Sequence, residues 1–148
     1  MPNTGAAADA APHAPAYTTP VQARLSDTDA LGHFHNASYA VFAEVGRVAF
    51  LADAGVDVNA LILARLEVDF RRQGRFGDAV LVDSWVERVG ETSVTLGQRV
   101  RAAGAVAAEV RSVAVHFDYA AGRPAPWPGA ARAALLARVP VARPPAAA

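Results

Sequence analysis

The chain has 148 residues, of which 53% are hydrophobic and 19% charged. That suits one domain with ample material for a core and argues against a disordered composition. Formal net charge is zero, all 14 basic residues are arginine, and cysteine is absent. These counts speak against a broad basic face for nucleic acid and exclude a lysine Schiff base, disulfides, thiolate metal sites and a cysteine nucleophile.

In chain order, residues 1–16, "MPNTGAAADAAPHAPA", have no periodicity and read as a disordered tail. No basic region followed by an apolar run opens the chain, and no apolar stretch is long enough to span a bilayer. A cytoplasmic location without a membrane partner is expected. Tyr17 to Leu25 reads as a strand, followed by a polar loop. Ala37 to Ala54 reads as a helix, closed by Gly55. Its large apolar residues go nearly all the way round, so it is expected to be buried on most faces. Its alanines and Gly46 would let it lie close against a sheet.

"LEVDFRR" then alternates, with Leu66, Val68 and Phe70 on one side, as in a half-buried strand. "GRFGD" reads as a turn, "AVLVDSWVERV" as a long strand and Gly90-Glu91 as a hairpin turn. "SVTLGQRVR" alternates again, "AAGA" turns, and "VAAEVRSVAVHFDY" is the last long strand. "GRPAPWP" breaks it, "GAARAALLAR" reads as a short helix, and 139–148 as a second tail. The domain is therefore expected over 17–138. Strand, helix and four strands joined by turns give an α+β fold: one curved antiparallel five-stranded sheet wrapped around one long central helix. Such a layer leaves an edge and an open face, which suits a homodimer or homotetramer.

The densest polar chemistry lies in "LSDTDALGHFHNASYAVFAEVGR", Leu25 to Arg47. The order of elements, with Asp29, Gly32, Asn36, Tyr39 and the Glu44–Arg47 pair in this stretch, resembles the hotdog-fold acyl-CoA thioesterases of the 4-hydroxybenzoyl-CoA thioesterase type. "FRRQGRFGD" at the matching later strand and turn supports the likeness. The resemblance covers nearly all of the folded part. It implies that Asp29 is the catalytic carboxylate, that a backbone N–H at Asn36 holds the thioester carbonyl, and that the site lies at a subunit interface. Related sequences carry an aromatic and a histidine, or two asparagines, where this chain has His35 and Asn36. A backbone role survives either change, because every residue but proline supplies an N–H.

Thioester hydrolysis needs a nucleophile or base, an oxyanion stabiliser and a slot for the leaving group. Asp29, ionised at neutral pH, could attack directly or activate a water. The first N–H groups of a helix lack intrahelical partners and sit at the positive end of its dipole, where a carbonyl is polarised. Gly32 would allow tight backbone approach. Simpler roles stand beside these. Asn36 is a good N-cap residue, Asp27 suits local loop hydrogen bonds, and Glu44 and Arg47 are spaced to pair on the helix. In some other hotdog branches a glutamate on this helix is the catalytic carboxylate, so the resemblance also implies Glu44 as a reserve. His33 is expected to orient the loop or line the pocket. A lone His-x-His is a weak metal motif, so neither metal nor cofactor is expected. Tyr39 is expected in the core or the pocket wall.

Arg71, Arg72 and Arg75, together with Arg99 and Arg101, could meet the phosphates of coenzyme A or an acidic acyl-carrier protein. They could equally be solubility residues. The leading expectation is an acyl-CoA thioesterase. A hotdog dehydratase or hydratase and a non-catalytic acyl-thioester-binding regulator are the alternatives.

Overall fold

Apolar positions spaced by four organise the central helix, α1 (Asn36–Asp53). Tyr39, Phe42, Ala43, Gly46, Phe50 and Leu51 form one buried stripe, the pattern of a helix with one face on a core. The protein is described here from a computed structural model covering residues 17–140. The tails expected at 1–16 and 139–148 lie outside these residues, except for Val139 and Pro140; Val139 packs against the core.

The strands are β1 (Tyr17–Val21), β2 (Leu61–Phe70), β3 (Val80–Val89), β4 (Ser93–Ala102), β5 (Ala105–Asp118) and the two-residue β6 (Arg123–Pro124). A second helix, α2 (Gly129–Leu136), follows. Five strands run antiparallel in the order β1-β3-β4-β5-β2, and β6 adds to β5 beside this path. The curved antiparallel sheet wraps one long helix, so the fold is the expected hotdog.

Tight turns explain the middle of that order. At the β4–β5 turn, Ala103 and Gly104 both take positive φ, 49° and 80°, the geometry of a two-residue hairpin that follows strand twist. The same logic fails at "GRFGD". β2 and β3 are not hairpin neighbours; β2 pairs with β5 at the far edge and β1 takes the place beside β3. The connection from Arg71 to Ala79 is too long for a two-residue turn. It is held elsewhere: the Arg71 and Arg72 N–H groups donate to the Ala107 carbonyl, and the Phe34 N–H donates to that of Gly74.

The helix lies close on the sheet. A Cβ at Gly46 would run into Val82. The buried Gln98 amide donates to the Ala43 carbonyl at 2.9 Å and to Ser84 Oγ at 3.1 Å, tying β3 and β4 to the helix backbone. Burial is one-sided, however. Val41, Val45 and Val48 are 42–43% exposed, so the expectation of a helix buried on most faces is corrected. The sheet curls round one side, and none of the described elements lies on the other. β2 is corrected in the same way. As an edge strand it leaves Leu63, Leu66 and Phe70 exposed, although Val68 packs on the core.

Candidate active site

The loop before α1 is built on two aspartates with different tasks. Asp27 is buried, and its carboxylate accepts the Arg24 N–H at 2.7 Å and Arg24 Nη2 at 3.1 Å. The Arg24 guanidinium and N–H hold its pKa below the ordinary value. The Asp27 carbonyl accepts from the His35 N–H and from Ser38 Oγ, 2.9 and 2.8 Å. Asp27 thus staples the loop to the first turn of the helix, the local role expected of it.

Asp29 folds back on the loop instead. Its Oδ1 accepts the N–H of Leu31 at 2.9 Å and of His33 at 3.1 Å. The His33 N–H is the main cause of a pKa below the ordinary aspartate value, with the Leu31 N–H adding to it against partial desolvation. Among the described residues, Oδ2 accepts no hydrogen bond, so one carboxylate oxygen is fixed and the other is free. Gly32, at φ 77°, closes this turn by donating its N–H to the Asp29 carbonyl; a left-handed residue is needed there.

The helix starts one residue earlier than expected. His35 is the N-cap and Asn36 the first helical residue, so Asn36 is not the cap. The Ser38 N–H bonds to the His35 carbonyl, which closes the first turn at His35. Among the described residues the Asn36 and Ala37 N–H groups have no backbone acceptor, and both residues are exposed. Free donors at the positive end of an 18-residue helix form an electrophilic mouth.

An open cleft of about 350 Å³ brings together Asp29, His33, Asn36, Tyr39, Arg71 and Arg72. His33 Nε2 is buried at this site without a partner among the described residues. Tyr39 is buried, and its hydroxyl donates to the Arg72 carbonyl at 3.3 Å and accepts the Gly74 N–H at 2.9 Å. It pins the segment that forms the opposite wall. Phe34, Phe70 and Gln73 also line the cleft. Sequence reading missed them: Phe70 read as a residue of a half-buried strand, and Phe34 and Gln73 carried no signal.

Several expected residues lie elsewhere. Gly32 shapes the turn without lining the cleft. Arg75 is in the connection, where its N–H donates to Asp78 Oδ2. Glu44 lies farther along α1, in a second cleft with Arg47, and no ion pair joins the two. Arg71 and Arg99 pair with Glu109, and Arg101 makes a two-point contact with Asp83. Among the described residues, Arg72 and Arg75 have no carboxylate partner, and no three His, Asp or Glu gather as a metal cluster. No described helix is long and apolar enough to cross a membrane.

One helix wrapped by a curled sheet, with a carboxylate loop at the helix mouth, defines the hotdog class. The chain belongs to the thioesterase-like superfamily, whose family model matches residues 23–135. It is similar to a predicted thioesterase from Bacillus stearothermophilus, with 35% identity, TM-score 0.76, and coverage of 83% of this chain and 96% of that one. It is also similar to a thioesterase from Thermus thermophilus solved with coenzyme A and Zn, with 32% identity, TM-score 0.74, and 80% and 95% coverage. YneP of Bacillus subtilis (strain 168), provisionally named an acyl-CoA thioesterase, is 24% identical over 74 residues. That match spans 45% of this chain and 54% of YneP, about half the length of that relative.

Proposed function

We propose that the protein is an acyl-CoA thioesterase, releasing a carboxylic acid and free coenzyme A. The observation that carries this reading is the cleft lined both by Asp29, whose Oδ2 accepts no hydrogen bond among the described residues, and by Asn36, the first residue of α1. The carbonyl oxygen would lie at the Asn36 N–H, where the developing oxyanion is stabilised. The free Oδ2 of Asp29 would attack the carbon, so that the C–S bond breaks, the coenzyme A thiolate leaves and takes a proton from water, and a second water hydrolyses the mixed anhydride; or Oδ2 would take a proton from a water that attacks the carbon as the C–S bond breaks. His33 lines the site and orients the Asp29 turn through its N–H. Tyr39 and Gly32 hold the walls. Among the described residues, Arg72 is the cleft arginine without a carboxylate partner, and it suits a phosphate of the leaving group; Arg71 lines the cleft beside it. The coenzyme A held by the Thermus thermophilus structure supports this choice of leaving group. The edge strand β2 and the exposed valines of α1 fit a homodimer or homotetramer that completes the site.

The test is thiol release from short, long and aromatic acyl-CoAs by the wild type and Asp29→Asn. A loss between about a hundredfold and ten-thousandfold with the fold intact is expected. Equal rates would remove Asp29 from the chemistry. Binding without turnover of any thioester would turn the reading toward a non-catalytic acyl-thioester sensor, and hydration of an enoyl-CoA toward a hydratase.

A further inference from the structure

Arg47 is an arginine to which the hydrolytic reading gives no task. It lies in the middle of α1 with 7% of its surface exposed. Its Nη1 is buried and has no hydrogen-bond partner among the described residues. Seven other arginines reach a carboxylate: Arg24, Arg65, Arg71, Arg99, Arg101, Arg111 and Arg138. Arg47 makes no such pair among the described residues, even with Glu44 one turn away. A buried, unpaired guanidinium is costly to keep. It is the kind of group that a ligand acceptor satisfies.

Arg47 and Glu44 border a cleft of about 120 Å³ between α1 and β2. The rest of its wall is mostly apolar, including Val48, Leu51, Val58, Leu61 and Leu63. This cleft lies on the same α1–β2 seam as the Asp29 cleft. Phe70 lines the Asp29 end and Leu63 the Arg47 end, with exposed Leu66 between them on β2. On α1, the helical spacing puts Asn36, Ala40, Ala43 and Arg47 on one side, so small apolar residues separate the helix mouth from the guanidinium. Asn36 and Arg47 are eleven residues apart, about 16 Å along the helix axis. An apolar track therefore begins at the electrophilic helix mouth and ends at a buried cation.

We propose that this seam holds the acyl chain and that Arg47, at its far end, selects chains ending in a hydrogen-bond acceptor, a carboxylate above all. The inference rests on the thioesterase reading for the direction in which the chain lies. Its physical basis is that a charge-assisted bond to a preformed, largely dehydrated guanidinium outweighs a methyl contact at the same place. Glu44 opposes an anionic end, but it is exposed and its field is screened by water.

The test uses coenzyme A thioethers, which cannot be hydrolysed, in pairs of equal length ending in a methyl or a carboxylate. Calorimetry on the full chain gives the affinity of each. Chains long enough to reach Arg47 are expected to bind about tenfold or more tightly with the carboxylate end, and the shortest pair is expected to show no difference. Arg47→Met should abolish the preference without weakening the short pair, Arg47→Lys should keep part of it, and Glu44→Gln should enlarge it. Equal affinity for both ends in the wild type at every length would overturn the proposal. So would an Arg47→Met protein that weakens all pairs alike or loses its oligomeric state, either of which makes Arg47 structural. If neither Arg47 variant folds, the wild-type and Glu44→Gln preferences decide. Hydrolysis of the matching thioesters is scored separately. Discrimination without turnover would sink the thioesterase reading and leave this one standing.

Discussion

The two ends of α1 are finished in opposite ways. At the C-terminal end, Phe50 and Leu51 are sealed against Val86, Val94 and Leu96 of the sheet and Leu135 of α2, with Trp127 stacked on His116 beside them. At the N-terminal end, Phe34, Tyr39 and Phe42 meet edge to face, yet among the described residues no second helix covers them. There the chain places a polar loop, a carboxylate and bare N–H groups. The closed end holds the helix on the sheet, so the open end can keep donors unpaired in a fixed position. Unsatisfied polar groups are tolerated where a rigid body holds them, and that is where chemistry is expected.

The largest effect that tests this contrast is the loss of turnover in Asp29→Asn with an unchanged melting temperature; a parallel fall in stability would mean that the open end also holds the fold. At the closed end the reverse is expected. Leu135→Ala should cost about 2–5 kcal/mol in chemical denaturation, while turnover per folded molecule stays near wild type. Tyr39→Phe lies between the two. Removing its hydroxyl leaves the buried Gly74 N–H without an acceptor, which should cost about 1–3 kcal/mol and also slow hydrolysis by loosening the Arg72–Gly74 wall. A stable, fully active variant would show that this wall needs no pin.

The pH profile sharpens the contrast without mutation. In the proposed mechanism Asp29 acts ionised, and the His33 and Leu31 N–H groups hold its pKa down. The acid limb of kcat/KM should therefore fall below about pH 4, the ordinary aspartate value. A limb well above that value would show that another group governs turnover. The smallest effect is expected far from both ends. Ala103, at φ 49°, suits asparagine better, and Ala103→Asn should raise stability by about 0.5 kcal/mol with no change in activity.

Much of this was legible in the amino-acid order. The alternation in "LEVDFRR" and "SVTLGQRVR" and the glycine turns marked the strands. The crowding of Asp29, His33 and Asn36 before an apolar helix marked the open end. "GRFGD" misled because a glycine-rich segment looks alike whether it closes a hairpin or crosses to the far edge. Phe70 was legible as a strand residue but not as a cleft wall, because that depends on which strand lies at the edge. Arg71 and Arg101 looked like ligands for phosphate until cross-strand register set them against Glu109 and Asp83.

Local periodicity, turn residues and a family motif thus determined the elements, the hotdog class and the polar loop at the helix mouth, because each is encoded within a few neighbouring residues. Tertiary structure alone decided three things: that β2 lies beside β5, that one face of α1 stays bare, and that Arg47 is buried without its neighbour Glu44. These depend on which distant segments meet, and only the folded chain fixes that.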